Sequence, residues 1–301
     1  MANSTYIYQE LWENRLAQRL DKPQTWKDVC DVKYTDSQIV NLPYIGTAGE
    51  PAVTADKFTT AAERTDLTKV ITFTAVTQTN ETLGVLTTDV EAVYLDYADQ
   101  AQSNYAKWAE MGDLLGKKIG ERIETVVLAN HAAWTNFGDT GGGVLGLAST
   151  TFTVSVNNIG AVIRGIIEQI IAANGYELYK KNGGFVIWRA ADHNALTQFM
   201  QANGFTVADE ALKEGGKLGI PFMGLYHYVS TSHATNHLMA GVRATQILGL
   251  LKSTYGKTYV SETPASSTAG LLSGTGIHSR LDYGLKVQTN VKPTLFDVNV
   301  V

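Results

Sequence analysis

Three short patterns in the sequence combine residue types that could bind a dinucleotide, a phosphate or a metal ion. Gly141–Gly146 has the letters of a dinucleotide-binding turn, G-x-G-x-x-G. That turn must follow a strand so that the pyrophosphate meets a helix N-terminus, whereas this one follows a predicted helix. Gly256-Lys257-Thr258 resembles the end of a phosphate-binding loop, yet Leu251 occupies the position of its leading glycine. We therefore expect neither segment to bind a nucleotide or a phosphate.

Candidate metal ligands and catalytic residues are few. His233 and His237 lie four residues apart, but their segment has the pattern of a turn and a strand, so they would not share a zinc-binding helical face. Cys30 is the one cysteine, which excludes an intrachain disulfide and a multi-thiolate metal site. No serine lies in a G-x-S-x-G turn. The sequence predicts no enzyme, no cofactor and no metal.

The composition of the 301-residue chain excludes several classes of protein. Hydrophobic residues make up 44%, which is enough to bury a large core and excludes intrinsic disorder. The 24 basic and 29 acidic residues give a net charge of −5, whereas a dedicated binder of duplex DNA or anionic membranes presents a basic surface. The longest uncharged stretch, residues 140–163, is too polar for lipid. We expect a soluble, folded protein without a membrane segment.

The first element that the pattern predicts is an amphipathic helix over residues 6–20, which Pro23 ends. Its apolar stripe consists of Tyr8, Leu11, Trp12, Leu16 and Leu20. A helix of about fifteen residues is marginally stable alone in water, so the stripe needs a partner surface. That surface belongs either to the chain's own domain or to a neighbouring subunit, and the sequence leaves both open.

Residues 37–88 have the alternating, threonine-rich pattern of strands. Val40, Leu42 and Tyr44 share one side of a first strand, and residues 70–76 alternate in a second. Between them, residues 46–64 contain few large apolar side chains and cannot form a core of their own. The pattern predicts a long two-stranded excursion that must lean on another surface, because isolated hairpins are marginally stable.

A proline-free stretch from Asp96 to Asn130 predicts one helix of about 35 residues. Gly112, Gly116 and Gly120 recur at every fourth position of this helix. Each glycine costs about 1 kcal/mol relative to alanine in a helix interior. Either another backbone lies close against this stripe or the three glycines are simply tolerated.

The second half of the chain mixes helices with strands. Helices are predicted over residues 157–174 and 190–203, on either side of a buried strand at 184–188. The further strand-like runs are residues 226–230, 237–241, 245–251 and, after a connector rich in serine and glycine, 277–301. No internal repeat is visible. The order of elements predicts an α+β fold.

In the order and character of its predicted helices and strands, the sequence resembles the major capsid proteins of tailed bacteriophages, which share the HK97-like fold. The segments that carry the resemblance are the long helix with its Gly-Glu-Arg-Ile-Glu ending, residues 184–188 with the following helix, residues 219–230, and the run beginning Arg280-Leu281-Asp282-Tyr283. The resemblance implies the following division: an N-terminal arm (1–35), an E-loop with flanking strands (36–85), a peripheral domain with a spine helix (86–140), an axial domain (141–262) and C-terminal strands returning to the peripheral domain (263–301).

Proteins of this family self-assemble into pentamers and hexamers, which form an icosahedral shell around double-stranded genomic DNA. The resemblance therefore implies a virion protein assembled in the host cytoplasm, with no enzymatic activity, with non-specific DNA contacts, and with separate scaffolding, portal and decoration proteins as partners. An encapsulin-type bacterial compartment around an enzyme cargo is the alternative within the fold. A hydrolase or nucleotide-binding enzyme is the alternative from another class, and the incomplete motifs argue against it.

The resemblance also implies that the arm and the excursion contact neighbouring subunits. The predicted contact residues are Tyr8, Leu11, Trp12, Leu16, Leu20, Tyr44, Lys57, Phe58 and Arg64. On this hypothesis, a variant carrying both Trp12→Asp and Leu16→Asp should fold but assemble no shells.

Overall fold

The computed structural model describes residues 12–20, 25–45, 78–96, 105–134, 153–203, 221–230, 232, 236–263 and 274–300. Over these residues the chain forms two five-stranded sheets and one two-stranded sheet, with helices packed against them. Both parallel and antiparallel pairs occur within the large sheets. The α+β class predicted from the sequence is confirmed.

Helices and strands follow one another along the described residues. The helices are α1 (residues 12–20), α2 (Thr25–Val29), α3 (Tyr105–Ala129), α4 (Ile159–Ala172), α5 (Tyr176–Asn182) and α6 (Ala190–Ala202), with 3-10 turns at Asn130–Ala133 and Lys292–Thr294. The strands are β1 (Cys30–Thr35), β2 (Ile39–Ile45), β3 (Gln78–Gly84), β4 (Thr87–Asp96), β5 (Gly184–Trp188), β6 (Pro221–Phe222), β7 (Leu225–Val229), β8 (His237–Val242), β9 (Gln246–Leu251), β10 (Tyr259–Thr263), β11 (Gly274–Val287) and β12 (Leu295–Asn299). The elements predicted between residues 157 and 251 are confirmed, because their hydrophobic periods are strong and local.

The first large sheet has the order β1-β9-β11-β10, and β4 also pairs with β11. β1 runs parallel to β9, and the other pairs are antiparallel. Two of these strands pair across the boundaries of the predicted division of the chain. β1 falls in the range predicted as the arm and β9 in the range predicted as the axial domain, yet they pair with each other along all six residues of β1.

β4 corrects the predicted bounds of the long helix. Asp96 ends β4 instead of beginning a helix, because the ten residues of β4 pair with β11 along their whole length. Helix α3 begins at Tyr105 and has 25 residues, which makes it roughly 37 Å long at 1.5 Å per residue. Cross-strand pairing has overridden local helix propensity at Asp96.

The second large sheet has the order β12-β8-β5-β7-β6. All five residues of β5 are buried, and α4 and α6 share a core with this sheet. Of the closing strands, which are predicted to return to the peripheral domain, β11 lies in the first sheet and β12 pairs with β8 in the second. Pro293, in the 3-10 turn between them, cannot donate a ladder hydrogen bond, so the chain changes direction there.

Helix α3 lies in a core cluster that both large sheets share. Leu115 and Ile123 of α3 belong to the same cluster as Leu248 of the first sheet and Phe185 and Met239 of the second. The helix therefore ties the two sheets together. No helix in the described part of the chain is long and apolar enough to span a membrane.

Candidate functional site

The glycine stripe of α3 packs directly against α1. A Cβ atom on Gly112 would lie 3.2 Å from the Cα atom of Trp12. A Cβ atom on Gly116 would lie 2.9 Å from the Cβ atom of Arg19 and 3.3 Å from the carbonyl oxygen of Leu16. The prediction that another backbone lies close to this stripe is confirmed at these two glycines, and the backbone is that of α1.

This contact identifies the partner surface of the N-terminal stripe within the chain. Trp12, Leu16 and Leu20 are 1%, 0% and 1% exposed and belong to the chain's own core. In the folded subunit they pack inside the chain's own core, and the prediction that they also contact a neighbouring subunit stays a prediction. The physical reason for this packing is that the glycines leave room on α3 for α1. Of the two partners that the sequence left open, the structure selects the chain's own domain.

The Gly-Lys-Thr segment at residues 256–258 contacts α1 and helps to attach this helix to the first sheet. Gly256 has φ +73°, which suits the turn between β9 and β10. The Nζ atom of Lys257 lies 3.6 Å from a carboxylate oxygen of Glu13, and the backbone N–H of Thr258 donates to Glu13 over 3.4 Å. These residues thus form part of the attachment of the N-terminal helix.

The structure describes an antiparallel strand pair within the range of the predicted excursion. β2 pairs with β3 in an antiparallel register that joins Ile39 to Gly84 and Ile45 to Gln78. Leu42, Leu83 and Val85 form a small core with Ile247 of the first sheet. The excursion therefore leans on the sheet of its own chain, while its predicted second strand at residues 70–76 lies outside the described residues.

The carboxylate of Glu81 connects the base of the excursion to Lys286 and Thr289. Glu81 on β3 accepts hydrogen bonds from the Tyr44 hydroxyl (2.9 Å) and the Thr289 backbone N–H (3.1 Å), and its other oxygen lies 3.0 Å from Nζ of Lys286. Burial alone would raise the pKa of Glu81, but the partners from Thr289, Lys286 and Tyr44 outweigh burial and lower this pKa to about 2. Tyr44, predicted as a subunit contact, thus contributes to a contact within the chain.

The remaining predicted contact residues lie outside the described residues. They are Tyr8, Leu11, Lys57, Phe58 and Arg64.

Sequence reasoning missed several exposed apolar side chains on the first sheet and the excursion. Leu86, Ile39 and Val90 are 69%, 60% and 56% exposed. Val90 lies on β4, whose pairing partner among the described strands is β11 alone, so one edge of β4 is open there. The alternation of residues 87–96 is the signal in the sequence that could have identified β4, and with it the exposed position of Val90.

Cys30 and His227, whose side chains are of reactive types, are both buried and contribute to packing. Burial raises the pKa of the Cys30 thiol well above its ordinary value, so the nucleophilic thiolate is suppressed. Burial likewise lowers the pKa of His227 to about 4. The ring of His227 accepts a hydrogen bond from the Trp188 indole N–H (2.8 Å) and donates to the Phe222 carbonyl (3.0 Å), so it is held as a neutral imidazole.

A second cluster of polar groups joins three elements that are far apart in the chain. Nδ1 of His131, in the turn that follows α3, lies 2.6 Å from one oxygen of Asp297 on β12. Nδ1 of His237, the first residue of β8, lies 2.8 Å from the other oxygen. In the sequence, His237 pairs by spacing with His233, which is not among the described residues. The spacing of the three residues in the chain carries no signal of their meeting.

Comparison with known proteins identifies the fold. Neither a protein-family model nor a curated protein matches the chain. Among solved structures, the capsid of Ralstonia phage GP4 is 10% identical, with a TM-score of 0.59 over 92% of this chain and 90% of that chain. A structure from Mycobacterium phage Che8 is 13% identical, with a TM-score of 0.58 over 93% and 97% of the two chains. A virus-like particle from Pyrococcus furiosus is 10% identical, with a TM-score of 0.55 over 97% and 99%. This chain therefore has the α+β HK97-like fold of the major capsid proteins of tailed phages.

Proposed function

We propose that this protein is the subunit of a closed protein shell, and specifically the major capsid protein of a tailed phage. The observation that carries the proposal is the match of at least 92% of the chain to phage capsid structures, which leaves little of the chain for another activity. On this proposal the subunits form pentamers and hexamers of an icosahedral shell around double-stranded DNA, in the virion and after assembly in the host cytoplasm. Its role is structural rather than enzymatic.

The packing and the exposed apolar residues of the excursion support the proposal that subunits assemble with one another. At its base four buried residues form the core, and one of them, Ile247, is supplied by the first sheet. The exposed side chains of Ile39, Leu86 and Val90 are apolar surface that another subunit can cover. We propose residues 36–85 as the E-loop, and Tyr8, Leu11, Tyr44, Lys57, Phe58 and Arg64 as subunit contacts. For Tyr44 the contact would involve the part of the side chain that its bond to Glu81 leaves accessible.

The distribution of charge supports weak contact with DNA. Arg122 on α3 is paired with Asp89 at 2.8 Å, and Lys117 lies 3.7 Å from Glu121. Cations that are already paired with carboxylates neutralise fewer phosphates, and the number of neutralised phosphates determines affinity. Non-specific and easily reversed contact suits a shell that packages and later releases a genome. Separate scaffolding, portal and decoration proteins are the further partners that we propose.

An encapsulin-type compartment is the second candidate. The observation that favours it is the match to the Pyrococcus furiosus virus-like particle, which covers 97% of this chain and 99% of that one. Such a shell would enclose a protein cargo instead of a genome. The two candidates share the assembly of this subunit and differ in the contents of the particle.

Negative-stain microscopy of the purified full chain tests the shared part of the proposal. Closed particles with five-fold and six-fold capsomers are expected, whereas a chain that stays monomeric under all assembly conditions, including co-expression with its neighbouring genes, contradicts the proposal. Particles from the native source are then treated with nuclease, and their contents are identified by sequencing and mass spectrometry. Protected genomic DNA supports the phage capsid, and an enzyme cargo supports the compartment.

A further inference from the structure

The carboxylate of Asp297 is completely buried between two imidazoles. Asp297 is 0% exposed, and each of its oxygens lies within hydrogen-bond distance of one histidine, His131 or His237. The two rings lie side by side, with their centroids 4.6 Å apart and a tilt of 47°. Their side chains are 19% and 25% exposed, so the cluster opens to solvent on the side of the rings.

A buried carboxylate needs compensation for its charge, because transfer of an ion from water into the protein interior costs several kcal/mol. Elsewhere in this fold, arginine supplies that compensation, as when Arg189 donates to Asp192 through two nitrogens at 2.7 and 2.9 Å. In the part of the chain that the structure describes, the partners of the Asp297 carboxylate are the two imidazoles, and neither is a permanent cation. The charge of Asp297 is thus compensated only by hydrogen-bond dipoles when both rings are neutral.

We propose that His131, His237 and Asp297 form a binding site for one divalent transition-metal ion, with Zn²⁺ as the best match. The three ligand atoms lie within 4.8 Å of one another. Imidazole nitrogen combined with carboxylate oxygen is a donor set that zinc accepts, and it excludes Mg²⁺ and Ca²⁺, which prefer oxygen ligands. Water would complete a tetrahedral shell. This inference goes beyond the proposed function and does not depend on it.

Binding requires a small rearrangement of the ligands. Zinc–ligand distances of about 2.0–2.2 Å place neighbouring ligand atoms roughly 3.3 Å apart. The hydrogen-bonded separations of 2.6 and 2.8 Å end on different oxygens of Asp297, so the oxygen that binds the ion must move about 0.5–0.7 Å away from its own imidazole. The most distant pair of ligand atoms, now within 4.8 Å, must approach to the same spacing. The ion takes the place of the two Nδ1 protons, and each neutral imidazole then carries its proton on Nε2, so no net proton is lost. Partial exposure of both rings leaves them room to rotate.

A bound ion would join elements that no local pattern connects. His131 follows α3, His237 begins β8 and Asp297 lies on β12, so the site links the end of the long helix to the second sheet. An ion that binds the folded chain and not the unfolded chain stabilises the fold by mass action. The expected consequence is a zinc-dependent rise in the melting temperature.

The test uses the untagged full chain, stripped with EDTA, incubated with excess Zn²⁺ and passed through a desalting column. Metal content is measured by mass spectrometry for the wild type, His131→Gln and His237→Gln. His278→Gln is the matched control, because this histidine stacks on Tyr259 on the first sheet, away from the cluster. Circular dichroism in EDTA verifies that every variant is folded. Co²⁺ gives a second readout, since its visible absorption reports tetrahedral coordination.

The proposal predicts about one Zn²⁺ per chain in the wild type and in His278→Gln, and a loss of about tenfold or more in affinity in each cluster variant. Zinc should raise the melting temperature of the wild type and leave that of the cluster variants unchanged. Equal zinc content in all four proteins overturns the proposal. So does a wild type that retains no zinc, and the cluster is then a hydrogen-bonded clamp between the long helix and the second sheet.

Discussion

Gly112 and Trp12 lie so close that a Cβ atom on the glycine would be 3.2 Å from both the Cα atom and the carbonyl oxygen of the tryptophan. The two residues belong to helices α3 and α1, and Trp12 is 1% exposed at this contact. The N-terminal helix therefore uses α3 as the partner surface that its apolar stripe requires. Stability of the subunit itself, and not only its assembly, depends on this pair of helices.

Replacement of Gly112 by leucine should destabilise the subunit. Leucine favours a helix over glycine by about 0.8 kcal/mol, so any net loss must come from the contact with α1. Overpacking of this kind costs about 1–3 kcal/mol. Urea denaturation of the unassembled subunit measures the change, and Asp113→Leu, at the exposed neighbouring position, is the control that should leave stability nearly unchanged. Equal stability of the two variants would contradict the close packing of α1 on α3.

Leu16→Ala should lower the free energy of unfolding of the subunit by about 2–5 kcal/mol, because Leu16 is completely buried in the core. Gln18→Ala, on the exposed side of α1, is the control and should change little. The structure also revises the expectation for the Trp12→Asp, Leu16→Asp variant, which should fail to fold natively instead of folding without assembling. Circular dichroism and urea denaturation of the subunit distinguish the two results.

Glu81→Gln should loosen the base of the excursion at neutral pH, and this effect should shrink as the pH falls. The pKa of Glu81 is lowered to about 2 in the folded chain, so its contribution to stability is present above the ordinary value of 4.5 and is lost as the pH falls towards 2. Hydrogen bonds to a charged group contribute on the order of 1.5 kcal/mol. Urea denaturation at pH 7 and pH 3 should show a difference from the wild type that shrinks in acid. Glu121→Gln, which changes an exposed carboxylate on α3, is the matched control variant.

Assembly should protect the segment between β2 and β3 from trypsin. The sequence from Gly46 to Arg64 contains few large apolar residues, which predicts that neighbouring subunits cover it in the shell. Cleavage after Lys57 or Arg64 is therefore expected in the free subunit and not in particles. Mass spectrometry of the fragments identifies the cut sites. Cleavage at the same rate in both states would indicate an ordinary surface loop.

The free subunit should bind DNA weakly and without sequence preference. The chain carries a net charge of −5, and Arg122 and Lys117 already pair with carboxylates. Binding should disappear between low and physiological salt, because phosphate contacts of this kind depend steeply on ionic strength. Fluorescence anisotropy with unrelated duplexes measures the effect. Tight, salt-resistant binding to one sequence would require base readout and would contradict the capsid proposal.

Local periodicity was sufficient to predict the elements whose hydrophobic faces repeat along the chain. α4, β5 and α6 were located from the sequence because a helix or strand face is a property of neighbouring residues. The same reasoning identified two requirements, a partner for the N-terminal stripe and a close backbone for the glycines of α3. It assigned the stripe to a neighbouring subunit only through the family resemblance.

Only the tertiary structure decided which distant residues meet. Trp12 and Gly112 are one hundred residues apart in the chain, and neither local pattern specifies the other as its partner. β4 is defined by its pairing with β11, 178 to 196 residues away along the chain, and this pairing outweighs the helix propensity that the sequence presents at Asp96. His131, His237 and Asp297 have no periodic spacing, and they converge because the end of α3 packs where β8 pairs with β12. Contacts between distant segments depend on the packing of whole elements, and a local pattern in the sequence does not encode that packing.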